Sequence, residues 1–476
     1  MPNDNSYLVK LNALVNDWLN SKERKEMLLG KRYFEGYHDI LDRQRMVIGE
    51  GGALVPVQNL PNNKLVDNQY KKLVEQKTNY ALGKPMTIAS SDDTYLEEIH
   101  KIFDKKLFRQ LRVLGEESIN SGIAWLYPYY NADGEFKIKV FPGYEVMPIW
   151  TDRTHVDLDR AIRVYSDTLV NENGTLRDIT VLEEYTVDGV DRYIKEGQQV
   201  RPHPDFPHSS YITIGEEEVN WGRLPLIPFK YNSKEIPIIR NVKSLQDALN
   251  QVLSDFQNNM EEDPRTTILV LKNYDGTNIP EFRRNLATYG VVKVQTVDGV
   301  QGGVETLKIE VNATNYQAIL MQLKRAIVEN GRGFDAKEER MDGDPNQMNI
   351  ESMYTDIDLD VNQMESEFQA GFEELKWFID QYLANAGKGD FSETNLEFVF
   401  NRDIFINEDA KIDNCVKSVG VLSNKTIIAH HPWVSDLQHE LAQIEEDKQA
   451  EMEEMEQMAA FQNQNKPNNS GGGSNA

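Results

Sequence analysis

Between Ile350 and Tyr382 an apolar side chain returns every three or four positions: Ile350, Met353, Ile357, Val361, Met364, Phe368, Phe372, Leu375, Ile379 and Tyr382. No proline interrupts the run, and its one glycine is Gly371. The period predicts a single α-helix, on the order of 50 Å long at the usual rise per residue. A helix of that length is stable only when its apolar face is covered along most of it. Neighbouring copies of the same chain are the expected source of that cover. The run follows a polar stretch, Phe334 to Asn346, that is dense in charge: Asp335, Lys337, Glu338, Glu339, Arg340, Asp342 and Asp344.

Two shorter helical patterns lie upstream. Leu245, Ala248, Leu249, Val252, Leu253 and Phe256 form one apolar stripe, ended by Pro264. Ile319, Leu320, Leu323 and Ile327 form another over 313–330, ended by Gly331 and Gly333. Between them, residues 266–271 are strand-like, and 290–311 are extended with a turn at Gly299, Gly302 and Gly303. Two helices therefore bracket a small α/β insert. Nearer the start, helical spacing covers 7–29, 63–81 and 93–121, with a Gly-rich break at 49–52 and a stop at Gly83-Lys84-Pro85.

From 123 to 230 the period shortens to two. Ile123–Tyr127 and Phe136–Val140 flank Asn131-Ala132-Asp133-Gly134, and Val181–Val187 meets Val190–Ile194 across Asp188-Gly189; both read as hairpins of an antiparallel lobe. After a short β patch at 396–400 come helical pieces at 408–420 and 424–430, then an acidic helix at 434–460. From Glu440 to Glu456 that helix carries eight carboxylates against one base, Lys448. Residues 463–476 end in Ser470-Gly471-Gly472-Gly473-Ser474 and read as a disordered tail.

The net charge of −26 over 476 residues argues against a surface that grips nucleic acid throughout, since phosphate contact needs clustered Lys and Arg. It suits a wall that DNA slides past equally with an ordinary acidic protein. Only 39% of residues are hydrophobic, which suggests an elongated or lobed shape of two to four structural units. The single cysteine, Cys415, allows no internal disulfide and fits a reducing compartment; it reads as a small buried residue. No run of about 18 apolar residues occurs, so no membrane helix is expected, and the start lacks the pattern of a signal peptide.

Catalytic motifs were sought among the same residues. Gly30-Lys31-Arg32 and Gly83-Lys84-Pro85 lack the second glycine and the hydroxyl of a phosphate-binding loop. Asp356, Asp358, Asp360 and Glu367 imitate a calcium loop, but Val361 stands where a glycine must turn the chain, so they read as solvated helix acids. His203, His208 and the pair His430-His431 have no metal-site spacing. No cofactor and no metal site is expected.

Tyr33-Phe34-Glu35-Gly36-Tyr37-His38-Asp39-Ile40-Leu41, then Asn62-Asn63-Lys64-Leu65-Val66-Asp67-Asn68-Gln69-Tyr70, then Tyr80-Ala81-Leu82-Gly83-Lys84-Pro85 closely resemble the portal proteins of long-tailed phages of Gram-positive bacteria. So do Pro148-Ile149-Trp150-Thr151-Asp152 leading into Ala161–Tyr165, Leu224–Phe229, and Ser423–Ile428. The likeness runs over roughly residues 7–450. It implies an α+β fold: an elongated portal subunit with wing, helical stem, α/β clip and helical crown, assembling into a ring, typically a dodecamer.

By that resemblance, 1–240 is an N-terminal wing region holding the β lobe, 241–262 and 313–331 are stem helices, and 263–312 is the clip. Residues 332–347 are the tunnel loop, 348–389 the long wing helix, 390–461 the crown and 462–476 the tail. Lys337, Glu338, Arg340, Asp342 and Asp344 then face passing DNA. Lys337 and Arg340 are expected either to touch phosphates weakly or to pair with Glu338, Glu339 or Asp344. The implied partners are further copies of the chain, double-stranded DNA in transit, terminase, scaffolding protein, major capsid protein and head-completion proteins, with no membrane. The implied location is the capsid portal vertex, and the host cytoplasm during assembly. The competing class is an enzyme of the packaging apparatus, a nuclease or ATPase.

Overall fold

The computed structural model describes residues 5–48, 52–56, 60–170, 176–197, 199–214, 217–262, 268–272, 303–307, 313–335, 347–402, 408–429, 431–434, 440–450, 452 and 455. The expected turn at Gly299 and Gly302, the Gly-rich break apart from Gly52, and the tail fall outside them. The chain divides into two compact units: Met1–Asp335 with Asp356–Arg402, and Ala336–Thr355 with Asp403–Ala476.

The first stretch holds α1 (Asn5–Asn20), α2 (Lys22–Phe34), β1 (Met46–Ile48), β2 (Leu54–Pro56), α3 (Gln69–Leu82), β3 (Thr87–Ser90), α4 (Asp93–Ile102) and α5 (Lys105–Ser121). The β lobe follows with β4 (Ile123–Tyr130), β5 (Phe136–Pro142), β6 (Val146–Trp150), β7 (Leu158–Val170), β8 (Leu176–Thr186), β9 (Gly189–Glu196), β10 (Gln199–Pro202), β11 (His208–Ser209), β12 (Ile212–Ile214), β13 (Glu217–Val219) and β14 (Ile227–Lys230). Then come α6 (Ile239–Glu262), β15 (Ile268–Lys272), β16 (Gly303–Leu307), α7 (Ala313–Asn330), α8 (Gln347–Asn385), β17 (Leu396–Val399), α9 (Glu408–Lys417) and α10 (Asn424–Ala429). Residues 440–450 are helical as well. Among the described residues no helix is long and apolar enough to cross a membrane.

The periodicity located these elements but merged some of them. The helix expected over 7–29 is two, because Ser21 turns out of the helix and its hydroxyl accepts the Arg24 amide at 3.1 Å. The helix expected over 93–121 also breaks, at Asp104, whose carboxylate accepts the amides of Lys106 and Leu107 at 2.9 and 2.8 Å. The third difference is larger. Residues 63–68 are extended rather than helical, and α3 begins only at Gln69, capped by Asn68.

Both expected hairpins form, as β4–β5 and β8–β9. The larger sheet runs β10-β9-β8-β7-β6, antiparallel throughout, with β11 added beside β9. Strand alternation sends Leu182 to one face and Val181 to the other. The first face receives α1, where Leu11 and Val15 join Met147, Ile162, Val164 and Leu182. A smaller sheet, β14-β4-β5, lies in the same unit.

The long helix is present as α8, and its apolar stripe is the centre of the first unit. Ile357, Val361, Met364, Phe368, Phe372, Leu375, Phe378, Ile379 and Leu383 are each 2% exposed or less. Burying one such side chain is worth about 1.5–3 kcal/mol. The cover comes from the chain itself, which corrects the expectation of neighbouring copies for this stretch. Phe229 of β14 meets Phe368 and Phe372 edge-on at 5.0 and 5.3 Å, and Phe398 of β17 stacks on Phe372 at 4.8 Å. β17 reaches that place by pairing with β3, Thr87 opposite Val399.

Gly371 has a local reason. A Cβ there would stand 2.9 Å from the Phe229 ring, so the ring lies against bare helix backbone. Glycine to alanine stabilises an exposed helix by about 1 kcal/mol. Here Gly371→Ala is expected to lower stability by about 1–3 kcal/mol through overpacking, and Phe372→Ala by about 3–5 kcal/mol. Urea unfolding measures both, and a raised midpoint for Gly371→Ala contradicts the Phe229 contact.

Candidate functional site

Lys337, Glu338, Arg340, Asp342 and Asp344 lie in 336–346, outside the described residues. The structure describes the mount from which that segment departs. It is built by the end of α7, by α3 and by α8.

α7 closes as its glycines suggested, though by a different division of labour. The Gly331 amide donates to Ile327 O at 2.9 Å and the Gly333 amide to Val328 O at 2.8 Å. The left-handed residue between them is Arg332, at φ 47°. The glycines serve packing instead: a Cβ on either would lie 2.4 or 2.3 Å from a methyl of Leu73 in α3. Beyond them Gln76 treats Phe334 as a neighbouring strand would. Its Nε2 donates to Phe334 O at 2.6 Å, and its Oε1 accepts the Phe334 amide at 2.9 Å.

The next residue of α3, Lys77, is fully buried and donates to Arg332 O at 2.9 Å and to Asp360 Oδ2 at 2.5 Å. Asp360, on α8, also accepts the Tyr231 hydroxyl and lies 3.8 Å from the Arg332 guanidinium. Burial holds the Lys77 pKa below the usual lysine range, against the pull of Asp360, and pushes the Tyr231 phenol well up. Two residues earlier on α8, Asp358 accepts the Tyr80 hydroxyl and pairs with Arg402 at 2.5 Å. Asp358 and Asp360 are therefore structural ion-pair partners, which corrects the reading of them as solvated. Lys77 and Arg402 supply the positive charge that a bound cation would supply at a calcium loop, and the Tyr231 and Tyr80 hydroxyls add neutral hydrogen bonds.

A second polar device was not legible in the apolar stripes. The most buried face of α6 is polar: Gln246, Asn250 and Ser254 are 0% exposed and Asn258 2%. They read the backbone of residues 63–68 and the first turn of α3. The amides of Asn63, Leu65, Asp67 and Tyr70 donate to Asn258 Oδ1, Ser254 Oγ, Asn250 Oδ1 and Gln246 Oε1 at 2.7, 2.9, 3.0 and 3.0 Å. From Asn63 to Asp67 four helical residues rise about 6.0 Å against about 6.6 Å for two extended ones, so rung matches rung; the last step, to Tyr70, spans three residues as α3 begins. This is why 63–68 is not helical: its amides already have acceptors. The only sequence signal was amide and hydroxyl residues at every fourth position, which an exposed helix face shows equally.

His38 completes the ladder. Its Nδ1 accepts the Asn250 amide at 2.8 Å and its Nε2–H donates to Tyr33 O at 3.1 Å, a neutral ring with both nitrogens occupied. Asn68 donates to the same Tyr33 carbonyl at 2.8 Å. α7 joins α6 through Phe256 and Tyr316, 5.0 Å apart, and reaches the strip that α6 holds through Lys324, 2.7 Å from Asp67.

Other sites anticipated from sequence are quiet. His208 pairs with Asp191 at 2.8 Å, and the half-buried His203 accepts two loop amides, of Asp205 and Phe206. His430 is outside the described residues. Cys415 is half-buried rather than buried, its thiol 3.9 Å from Ile427 O. Among the described residues no three His, Cys, Asp or Glu side chains converge as a metal site would require.

Two outcomes are expected. Lys77→Met leaves Asp360 buried beside one distant cation and is expected to cost about 3–5 kcal/mol, with Lys77→Met/Asp360→Leu recovering part of it; equal losses in single and double variants contradict the pairing. Burial lowers the His38 pKa, so the unfolded chain binds the proton first as pH falls. The stability tied to His38 is thus intact above its unfolded value near ~6.5 and declines below it, by at most about 1.4 kcal/mol per pH unit. Glu117 and Glu374, pushed up by burial to about 7, titrate in the same window with the opposite sign, so the His38 contribution is read as the difference in slope between the parent and His38→Asn in unfolding titrations from pH 7.5 to about 5.

The chain matches the family model described as phage portal protein, SPP1 Gp6-like, over residues 19–454. It is 29% identical over 443 residues to the portal protein of Bacillus phage SPP1, covering 91% of this chain and 86% of that one. It is 27% identical over 454 residues to the portal protein of Clostridium phage phiCD119, covering 93% and 96%. A chain of the virion of a native gene transfer agent particle superposes with a TM-score of 0.40 at 12% identity, over 75% of this chain and 87% of that one. With the family model spanning nearly its whole length, this chain belongs to the SPP1 Gp6-like phage portal proteins.

Proposed function

We propose that twelve copies of this chain close a ring at one vertex of a tailed-phage capsid and that the genome enters and leaves through its hole. Portal proteins are structural components of the virion that form ring assemblies. The observation that carries the reading for this chain is the uncovered apolar side of the α6–α7 pair. On α6 the polar ladder takes the inward face, leaving Leu245, Val252, Leu253 and Phe256 only half-buried and Met260 48% exposed. On α7, Ile319 is 45% and Met321 67% exposed. Apolar side chains left at the surface of both helices call for a neighbour on that side.

In this assignment 241–262 and 313–331 are the stem, 263–312 the clip, 332–347 the tunnel loop, and 390–461 the crown. Residues 1–240 and 348–389 form the wing, where scaffolding and major capsid protein meet it. The clip takes terminase during packaging and head-completion proteins afterwards. A channel lined mainly by Glu338, Asp342 and Asp344 repels phosphates and spares DNA the counterion release that makes binding tight. Lys337 and Arg340 then supply sparse, weak phosphate contacts.

Light scattering of the purified chain, 54.7 kDa per copy, is expected to report particles above about half a megadalton that are annular in negative stain. A compact single-copy species at high concentration overturns the assignment. Lys337→Glu with Arg340→Glu is expected to impair packaging or DNA retention with rings intact; unchanged packaging removes the phosphate contacts. Deleting 270–305 is expected to keep the ring and abolish stimulation of the terminase ATPase.

A further inference from the structure

α3 and α5 enclose an open groove of about 390 Å³ whose character differs from the rest of this acidic chain. Its floor is apolar: Leu82, Pro85, Phe108 and Val113, the last 45% exposed. Its rim carries Lys105, Arg109 and Arg112 against one carboxylate, Glu116. Their spacing on α5 sets the three cations along one side of the helix. Arg112 is held by Asn79 Oδ1 at 2.6 Å, whereas the side chains of Lys105 and Arg109 bond no described residue. Phosphates alone would ask for the cations and leave the apolar floor without purpose. Floor and rim together fit an amphipathic helix with carboxylates beside its apolar stripe.

The chain carries such a helix. From Leu441 onward Ile444, Met452 and Met455 keep helical spacing, flanked by Glu445, Glu446, Asp447, Glu451, Glu453, Glu454 and Glu456. Met452 and Met455 are 58% and 65% exposed. Asn401 donates to Pro85 O at 2.7 Å on the groove's edge, and one residue later, at Arg402, the chain leaves this unit. A donor and a complementary acceptor on one chain are what a head-to-tail ring contact requires.

We propose that the groove between α3 and α5 seats the acidic helix beginning near residue 440 of a second copy, a strap from each subunit to the next. Methionines enter the apolar floor, and the carboxylates face Lys105, Arg109 and Arg112. The strap rests on the ring assignment made above, and the test separates the two.

Two full-length chains with tags of different size, both Cys415→Ser, are co-expressed, one Val113→Cys and the other Met452→Cys. Mild oxidation of the assembled particles is expected to give the mixed-tag dimer in non-reducing gels, several-fold above the like-tag dimers. Adding Lys105→Glu and Arg109→Glu to the Val113→Cys chain should cut the mixed dimer at least several-fold with rings still visible in negative stain. Rings without the mixed dimer overturn the strap and leave the ring standing. A cross-link that forms only within a chain bearing both cysteines also overturns it. Failure of all variants and the parent chain to form rings would instead defeat the ring assignment.

Discussion

The apolar stripe of α8 is the constraint around which the first unit is arranged. Nine residues from Ile357 to Leu383 lose nearly all contact with solvent, and elements far apart in the chain converge to cover them. Phe229 arrives on β14, Phe398 on β17, and Trp221 meets Phe378 at 5.3 Å. Tyr130 and Phe136, from either side of the β4–β5 turn, each reach Tyr382 at 5.6 Å. Because the helix is satisfied inside its own chain, it can act as a beam for other elements instead of as a surface for association.

In the proposed ring, association falls to α6 and α7. In α6, Gln246, Asn250, Ser254 and Asn258 accept the amides of a strip of backbone, and beside that polar face Leu249 stays buried while Leu245, Val252, Leu253 and Phe256 are left half-buried. An apolar contact is non-directional and tolerates sliding. A ladder of amide acceptors fixes one register, since a shift leaves buried donors unpaired at about 1–3 kcal/mol each. The same logic governs the Lys77–Asp360 pair. Buried ion pairs add little net stability, yet losing one partner is expensive, so the pair specifies where α3, α7 and α8 meet. The consequence is a defined point of departure for 336–346, whose charged residues the proposed channel depends on.

Charge is divided by role. The overall surplus of carboxylates, 77 against 51 basic residues, disfavours adhesion to DNA. Some basic side chains are committed to internal pairs, such as Arg402 with Asp358 and Glu365, or Arg163 with Glu145 and Glu183. Against that background the uncommitted Lys105 and Arg109 on α5 stand out as a surface built for something other than self-solubilisation.

What the sequence determined by itself is what depends on local period and turn chemistry. The span of α7, the existence of α8, both hairpins and the strand at 396–399 follow from side chains recurring at 3.6 or 2 and from Asp-Gly or Asn-rich turns. The ordered strings from Tyr33 to Ile428 also carried the family. Tertiary structure decided which periodic face is inside. Residues 63–68 pattern as helix but lie extended, because acceptors nearly two hundred residues away claim their amides. Asp358 and Asp360 pattern as solvated acids but sit in ion pairs, because Lys77 and Arg402 arrive from distant segments. Period reports the geometry of one element. Burial is set by what a second element brings to it, and no local pattern encodes that partner.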